Sequence, residues 1–252
     1  MINRDMKKTK IIATLGPASS SRETMIEMIK EGVDVFRINF SHADYDLVKK
    51  NVELIRSINQ EYGFNTAILG DLQGPKLRVG VVKEGSFINP GDILTFTNEN
   101  VEGDASRVYM TYERFAKDVK VGERILIDDG KLVFEVIETN QKDIVKAKAI
   151  QGGPLSSKKG VNLPNTAISL PALTEKDIED AKFMLDNEFD WIALSFVRHA
   201  QDIKDLKDLI QGHTNGKQNT PIIAKIEKPE GVENMDEILR ECDGIMVARG
   251  DL

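Results

Sequence analysis

The chain has one cysteine and no long apolar run, and each scarcity excludes a class of protein. The single cysteine, Cys242, rules out internal disulfides and is typical of a reducing compartment, so we interpret it as a small buried apolar residue. No apolar stretch approaches the ~20 residues of a membrane-spanning helix. The polar residues 1–8 lack the apolar core of a secretory signal. We therefore expect a cytoplasmic protein with no membrane partner.

The chain also lacks the charge and the motifs of nucleic-acid and common nucleotide-binding proteins. Its net charge is -7, so we expect no nucleic-acid partner, and any anion site must be local. Neither a P-loop nor a G-x-G-x-x-G motif occurs, so a nucleotide would have to bind in another way. No Ser-His-Asp system is recognisable, because of the three histidines only His42 falls at the end of a predicted strand, whereas His199 and His213 are predicted on the surface.

Apolar strand segments alternate with amphipathic helical segments in the first and last thirds of the chain. Strands are predicted near residues 10–15, 33–40, 66–70, 190–197, 221–227 and 244–252. Helices are predicted near residues 22–31, 44–62, 200–211 and 235–241, and another begins after Thr174, which with Asp177 forms a near capping box. Strands separated by helices of this length pair in parallel through right-handed crossovers.

The middle of the chain is different. Short apolar or alternating runs are separated by glycine and proline, which predicts a small antiparallel β domain with a hairpin turn at Asp129-Gly130. We therefore divide the chain into residues 1–76, the first part of an α/β domain, residues 77–170, a β insert, and residues 171–252, where the α/β domain continues.

Polar side chains gather where the predicted α/β strands end. They are Arg37, Asn39, Ser41, His42, Asp71, Lys76, Arg78, Ser195, Lys225, Glu227, Arg249 and Asp251. An isolated charged pair on a strand usually lies at a solvent-exposed edge. Five consecutive strands that end in charged or polar residues are hard to explain as exposed edges. In a parallel α/β barrel the carboxyl ends of the strands build the active site. The period of two places Lys225 and Glu227 on one side of their strand, and it does the same for Arg37, Asn39 and Ser41 if that strand stays extended.

The residue types at these strand ends indicate a reaction. Glu227 and Asp251 are suited to a hard divalent ion such as Mg²⁺. Positive charge for a phosphorylated or carboxylated substrate comes from Arg37, Arg78, Lys225 and Arg249. Phosphoryl transfer depends mainly on positioning and on charge stabilisation by a metal and cations, and the strand ends supply these groups.

Seven motifs in order resemble the pyruvate kinase family and cover the whole chain. They are Thr9-Lys-Ile-Ile-Ala-Thr-Leu-Gly-Pro-Ala-Ser, Arg37-Ile-Asn-Phe-Ser-His, Gly70-Asp-Leu-Gln-Gly-Pro-Lys-Leu-Arg, Lys158-Lys-Gly-Val-Asn-Leu-Pro, Leu173-Thr-Glu-Lys-Asp, Ile222-Ile-Ala-Lys-Ile-Glu-Lys-Pro-Glu-Gly-Val and Met246-Val-Ala-Arg-Gly-Asp-Leu. The resemblance implies an α/β fold, a TIM (β/α)8 barrel interrupted by a small β-barrel lid domain. It also implies a magnesium-dependent, nucleotide-binding transferase of glycolysis, a kinase that moves a phosphoryl group from phosphoenolpyruvate to ADP and gives pyruvate and ATP. The full-length protein is expected to be a homotetramer.

The resemblance assigns roles to individual residues. Lys225, Arg37 and Arg78 would be catalytic, and the substrate would contact Arg37, Lys225, Gly250 and Asp251. Glu227 and Asp251 would hold Mg²⁺ or Mn²⁺. The nucleotide, ADP or ATP, would contact Asn39, His42, Arg78 and Lys159.

A monovalent-cation site is also implied, formed by Asn39, Ser41, Asp71 and the Leu72 carbonyl. K⁺-dependent members of the family carry Glu where this chain has Lys76. An ammonium group near the site can replace K⁺, because each brings one positive charge beside the phosphates. We therefore expect K⁺ to be dispensable, and substantial activation by K⁺ over choline would contradict this.

The sequence supplies six strands where a (β/α)8 barrel has eight. We expect this stretch to be a piece of a longer protein, poorly stable and inactive when expressed alone, because six strands leave two unpaired edges. Two other functions stay open, a metal-dependent aldolase or lyase acting on pyruvate or phosphoenolpyruvate, and a non-catalytic regulatory module. The β insert favours the kinase over a lyase, which needs no nucleotide lid, and the intact Lys225, Glu227 and Asp251 argue against the regulatory module.

Overall fold

The structure is a computed structural model that describes residues 8–248. Two compact units are present. The first combines the described residues up to Gly74 with Ala172–Ala248, and the second is Pro75–Pro171. No helix within the described range is long and apolar enough to cross a membrane.

The first unit alternates strands with helices. Its strands are β1 (Ile12–Thr14), β2 (Val35–Asn39) and β3 (Ala67–Asp71), and later β12 (Trp191–Leu194), β13 (Ile222–Ile226) and β14 (Gly244–Val247). Its helices are α1 (Arg22–Lys30), α2 (Tyr45–Tyr62), α4 (Glu175–Asp186), α5 (Ala200–Thr214), α6 (Pro229–Glu233) and α7 (Met235–Glu241), with short 3-10 turns at Pro17–Ser19 and Phe40–His42.

The six strands of the first unit form one parallel sheet in the order β1-β2-β3-β12-β13-β14. The register places Asn39 beside Asp71, and Asp71 beside Ala193, so the carboxyl ends of neighbouring strands lie level. Because every strand runs the same way, the polar side chains that end the strands meet at one edge of the sheet.

Local sequence explains where the helices begin. Ser21 and Asp44 accept backbone N–H groups at the starts of α1 and α2. Thr174 and Asp177 form a reciprocal capping box at α4, which confirms that prediction. Gly63, in the left-handed region at φ 66, ends α2.

A buried apolar cluster fills the space between the sheet and its helices. Its fully buried members include Phe36 and Ile68 from the strands and Met25, Ile55 and Leu206 from the helices. The apolar positions of each helix recur at helical spacing, and this face packs on the sheet.

The second unit is a β domain with its own core. Its elements are β4 (Phe87–Ile88), β5 (Ile93–Thr97), β6 (Arg107–Tyr109), α3 (Phe115–Asp118), β7 (Arg124–Ile127), β8 (Leu132–Thr139), β9 (Ile144–Gln151), β10 (Gly153–Pro154) and β11 (Val161–Asn162). Six of the strands form a sheet in the order β11-β7-β8-β9-β5-β6, and β4 pairs with β10. Pairing is antiparallel except between β5 and β6, and Asp129-Gly130 lies in the β7–β8 hairpin as predicted.

The predicted fold class is confirmed, one local expectation is corrected and one short helix is added. The strand β2 ends at Asn39, and a 3-10 turn follows, so Ser41 does not share the extended alternation of Arg37 and Asn39. Pro229 starts the short helix α6, which the sequence reading omitted. Residues of the last predicted strand after Ala248 lie outside the described range.

Candidate active site

Asp71 lies at the centre of a buried group of charges at the carboxyl edge of the parallel sheet. It is the last residue of β3, and only 2% of its side chain is exposed. The Arg37 guanidinium contacts Asp71 Oδ2 through Nε at 2.7 Å and through a second nitrogen at 2.5 Å. A third Arg37 nitrogen donates to Thr14 Oγ1 at 2.8 Å. Three neighbouring strands thus fix the orientation of Arg37.

Lys225 contacts the other carboxylate oxygen of Asp71, Oδ1, and is surrounded by oxygens. Its Nζ is 2.7 Å from Ser195 Oγ, 2.9 Å from Glu227 Oε1 and 3.2 Å from Asp71 Oδ1. The last contact is an ion pair without hydrogen-bond geometry, since Asp71 Oδ1 has no hydrogen-bond partner. The contact between Lys225 and Glu227 agrees with the prediction that they share one side of their strand.

The turn after β12 orients the remaining polar groups. Ser195 Oγ donates to the Leu72 carbonyl at 2.7 Å while it accepts from Lys225. Phe196 adopts φ 57, and its N–H donates to Glu227 Oε2 at 3.0 Å. Both oxygens of Glu227 therefore have partners within the protein.

The four charges at this edge balance one another. Arg37 and Lys225 contribute two positive charges, and Asp71 and Glu227 contribute two negative charges. The exposed fractions of Lys225 and Glu227 are 12% and 3%. Buried charges are tolerated only when they are paired and hydrogen-bonded, and this group meets that condition. A bound anion would add negative charge beside two fixed cations.

The donor atoms at this edge suit a hard cation. Carboxylate and hydroxyl oxygens from Asp71, Glu227 and Ser195 surround one positive charge, that of Lys225. Mg²⁺ prefers such oxygen ligands. Within residues 8–248 no group of three or more His, Cys, Asp or Glu residues is arranged to hold a metal. Of the two predicted Mg²⁺ ligands, Glu227 lies in that range and Asp251 lies outside it.

The other predicted residues of the first unit are placed as follows. Asn39 is exposed, and its Oδ1 accepts the Ser41 N–H at 2.9 Å. His42 lies in the 3-10 turn, and its side chain is outside what the structure describes. Arg249 and Gly250 also lie outside the described range.

The predicted residues of the second unit are held by contacts within that unit. Arg78 donates to the Lys158 carbonyl at 3.0 Å. Lys159 Nζ is 3.0 Å from Asp128 Oδ1, and Lys131 binds the other oxygen of that carboxylate. Lys131 and then Lys159 hold the pKa of Asp128 below its usual value. Lys76 is exposed.

Sequence reasoning missed several contacts of the site. Asp71 was assigned only to the monovalent-cation site, whereas here it pairs with Arg37 and Lys225. Thr14, which binds Arg37, and Asp177, which accepts the Gly74 N–H after β3, were placed in a strand and a helix cap without a link to the strand-end residues. The available signal for Thr14 was its position at the end of the first strand, next to β2.

A groove of about 710 Å³ lies elsewhere in the first unit, beside the C-terminal parts of α2, α4 and α5. Several of its polar side chains have partners, since Arg56 contacts Asp190 and His213 contacts Asp186. The groove shares no residue with the polar strand ends described above.

Comparison with known proteins gives one consistent result. The family model described as "Pyruvate kinase, barrel domain" matches residues 6–252. Pyruvate kinase 2 of Synechocystis sp. is 45% identical over 251 residues, which are 98% of this chain and 42% of the relative. Pyruvate kinases of Corynebacterium efficiens and Clostridium perfringens are each 42% identical over 98% of this chain, which covers 51% and 52% of their lengths. The chain thus spans about half the length of the curated relatives it matches.

Proposed function

This chain belongs to the pyruvate kinase family, and from that membership we propose that its protein transfers a phosphoryl group between phosphoenolpyruvate and ADP, giving pyruvate and ATP in glycolysis. The observation that carries the proposal is the buried group of Arg37, Asp71, Lys225 and Glu227 at the carboxyl edge of the parallel sheet. Two fixed cations beside oxygen ligands suit a reaction that depends on positioning and charge stabilisation.

Lys225 and Arg37 bind and orient the transferring phosphoryl group in this proposal. Arg37 is fixed by Asp71 and Thr14, so its guanidinium loses little freedom when an anion binds. Lys225 stabilises the negative charge that develops on the phosphoryl group and on the enolate. Arg78 adds positive charge to the phosphates.

The family depends on a divalent metal in general, and we assign Mg²⁺ or Mn²⁺ to Glu227 and Asp251. When bound, the ion would neutralise phosphate charge and polarise the substrate. Lys225 Nζ lies 2.9 Å from Glu227 Oε1, so the ammonium group lies beside the carboxylate that we assign to the ion. The Gly250 and Asp251 N–H groups are proposed to bind the substrate carboxylate.

We assign ADP and ATP to Asn39, His42, Arg78 and Lys159. The Asp128 carboxylate binds Lys159 in the structure, so a nucleotide phosphate would compete with that carboxylate for the lysine. Asn39, Ser41, Asp71 and the Leu72 carbonyl form the proposed monovalent-cation site, with Lys76 as the substitute for K⁺. A cytoplasmic location and a homotetramer belong to the same proposal.

The test is to express the complete reading frame that encodes this chain and to measure pyruvate formation from phosphoenolpyruvate, ADP and Mg²⁺. Lys225→Met is expected to lower kcat by about 10² to 10³-fold, the cost of losing one preorganised charge-stabilising donor. Lys207→Met is the matched control, because Lys207 of α5 also pairs with a carboxylate, that of Glu241 in α7, in the same unit but away from the polar strand ends.

Two outcomes would contradict the proposal. Turnover that does not need ADP would indicate a lyase instead of a kinase. Equal losses of activity in Lys225→Met and Lys207→Met would show that the chemistry does not depend on the strand-end lysine.

A further inference from the structure

Three buried hydrogen bonds hold the loop that follows β3, residues 72–74. The Leu72 N–H donates to the Ala193 carbonyl at 3.0 Å, and the Leu72 carbonyl accepts from Ser195 Oγ at 2.7 Å. The Gly74 N–H donates to Asp177 Oδ1 at 3.0 Å. The loop directly follows Asp71, whose carboxylate contacts both Arg37 and Lys225. The position of the loop therefore helps to fix the position of that carboxylate.

Position 74 has no room for a side chain. Its φ is +70, and a Cβ there would lie 2.9 Å from the Ser195 Cβ and 2.8 Å from a Phe196 ring carbon. Glycine is therefore required both by the left-handed conformation and by the close packing. The loop is pressed against the turn that carries Ser195, and the Asp177 bond holds it there.

Asp177 does more than cap a helix. Its Oδ2 accepts from the Thr174 N–H at 3.0 Å and from Thr174 Oγ1 at 2.5 Å, which completes the capping box of α4. Its Oδ1 is directed to Gly74, 103 residues earlier in the chain. The side chain is fully buried, and the partial positive charge of the α4 N-terminus stabilises it.

The cap of α5 provides a comparison. Asp202 occupies the same position in that helix, and its Oδ2 accepts the N–H groups of Arg198 and His199 at 2.9 and 3.1 Å. Both of these bonds remain within the N-terminal turn of α5. The long-range bond to Gly74 is thus an addition to the ordinary capping role.

We propose that Asp177 is a positioning residue, which fixes the Asp71 carboxylate through Gly74 and so orients Arg37 and Lys225 for phosphoryl transfer. The inference rests on the proposed function, since it concerns the same site. Gly74 is the last residue before the chain enters the second unit, and Thr174 follows soon after the chain leaves it. Both Gly74 and Thr174 are therefore hydrogen-bonded to one carboxylate of the first unit.

The test compares Asp177→Asn with Asp202→Asn in the complete protein. Asparagine replaces one carboxylate oxygen of residue 177 with an NH₂ group, which cannot accept a hydrogen bond. One of the hydrogen bonds from Gly74 or Thr174 is therefore lost. We expect kcat to fall between about tenfold and 100-fold in Asp177→Asn, because small displacements of a site cost rates of this order. Asp202→Asn should lower the melting temperature similarly and leave kcat unchanged.

Two further measurements separate positioning from simple destabilisation. Amide hydrogen exchange of residues 71–74 should increase in Asp177→Asn and stay at the wild-type level in Asp202→Asn. In an Asp71→Asn background, Asp177→Asn should cause no further loss of kcat, because its effect acts through that carboxylate. If Asp177 only stabilised the fold, the Asp71 and Asp177 substitutions would lower kcat independently, and their fold-losses would multiply.

The possible failures are distinguishable. A wild-type protein without pyruvate kinase activity would contradict the proposed function, and the hydrogen-exchange comparison would still decide whether Asp177 holds the loop. An active wild type in which the two caps behave alike, or in which the Asp71 and Asp177 substitutions multiply, would overturn the positioning role alone.

Discussion

The ammonium nitrogen of Lys225 carries three hydrogens, and three oxygens lie around it. These belong to Ser195, Glu227 and Asp71. The Asp71 contact is not a hydrogen bond, so in the proposed reaction a phosphoryl oxygen would bind Lys225 in its place. Asp71 is the weakest partner by geometry, because its Oδ1 is the most distant and lacks a hydrogen bond. Its carboxylate also keeps Arg37 as a counter-ion when Lys225 turns to a substrate.

Ser195→Ala tests the link between Lys225 and the loop after β3. The substitution leaves the buried Leu72 carbonyl without its donor, which should lower the free energy of unfolding by about 1–3 kcal/mol. It also removes one acceptor of Lys225, so kcat should fall as well. Urea denaturation and steady-state kinetics measure the two effects. In Ser57→Ala an exposed hydroxyl that donates to the Leu54 carbonyl is removed, and stability should change by less than about 0.5 kcal/mol.

Lys76 allows a prediction about the dependence of activity on K⁺. We expect the complete protein to be fully active in choline salts without K⁺, because the lysine supplies the positive charge. Lys76→Glu should make activity depend on K⁺, since it removes that charge and adds a carboxylate ligand. Initial rates over a K⁺ titration at constant ionic strength measure this. Equal K⁺ responses in both proteins would show that Lys76 has no part in cation dependence.

The helices and strands were predictable where local patterns decide them. The capping box at Thr174 and Asp177 and the Asp129-Gly130 hairpin follow from short-range chemistry, and both are confirmed. The 3-10 turn after β2 was not predictable, because it depends on Asn39 accepting the Ser41 N–H instead of continuing the strand. Periodicity reports which face of a strand is buried, but it does not report such local side-chain competition.

The packing of β3 against α4 is close at Gly70. A Cβ at this β3 position would lie 2.4 Å from the Met184 sulfur on α4. Gly70→Ala should therefore lower the free energy of unfolding by about 1–3 kcal/mol, the usual cost of overpacking. Met184→Ala opens a cavity by itself, but in the double variant the new methyl group enters that space. The double variant should be more stable than the sum of the single effects, measured by chemical denaturation. Additive losses would show that the helix moves away from the strand instead.

At the scale of the whole molecule, the sequence predicted the residue types of the site better than their partners. The strand pattern placed Arg37, Lys225 and Glu227 at strand ends, and the structure brings these side chains together around Asp71. Asp71 as the common partner of Arg37 and Lys225 could not be read from the chain. That pairing depends on side-chain directions across β2, β3 and β13, which lie far apart in sequence and are set only when the sheet forms.

The two compact units have separate hydrophobic cores, which share no residue. The second core includes Phe96, Phe115 and Phe134, whose rings meet edge to face. A core of this kind, within one continuous segment, has what an independent domain needs. We therefore expect a polypeptide of residues 75–171 to fold alone and to unfold in one cooperative transition.

The aromatic core makes this expectation testable by substitution. Phe134→Ala in the 75–171 polypeptide should cost about 3–5 kcal/mol, because it leaves a cavity beneath the sheet, and should abolish or greatly lower its thermal transition. Phe87→Ala removes a ring from the same unit, but Phe87 is 55% exposed, so the transition should shift little. Thermal melts followed by circular dichroism and one-dimensional NMR distinguish the three polypeptides. A wild-type polypeptide without cooperative melting or dispersed signals would mean that this core forms only when the rest of the chain is present.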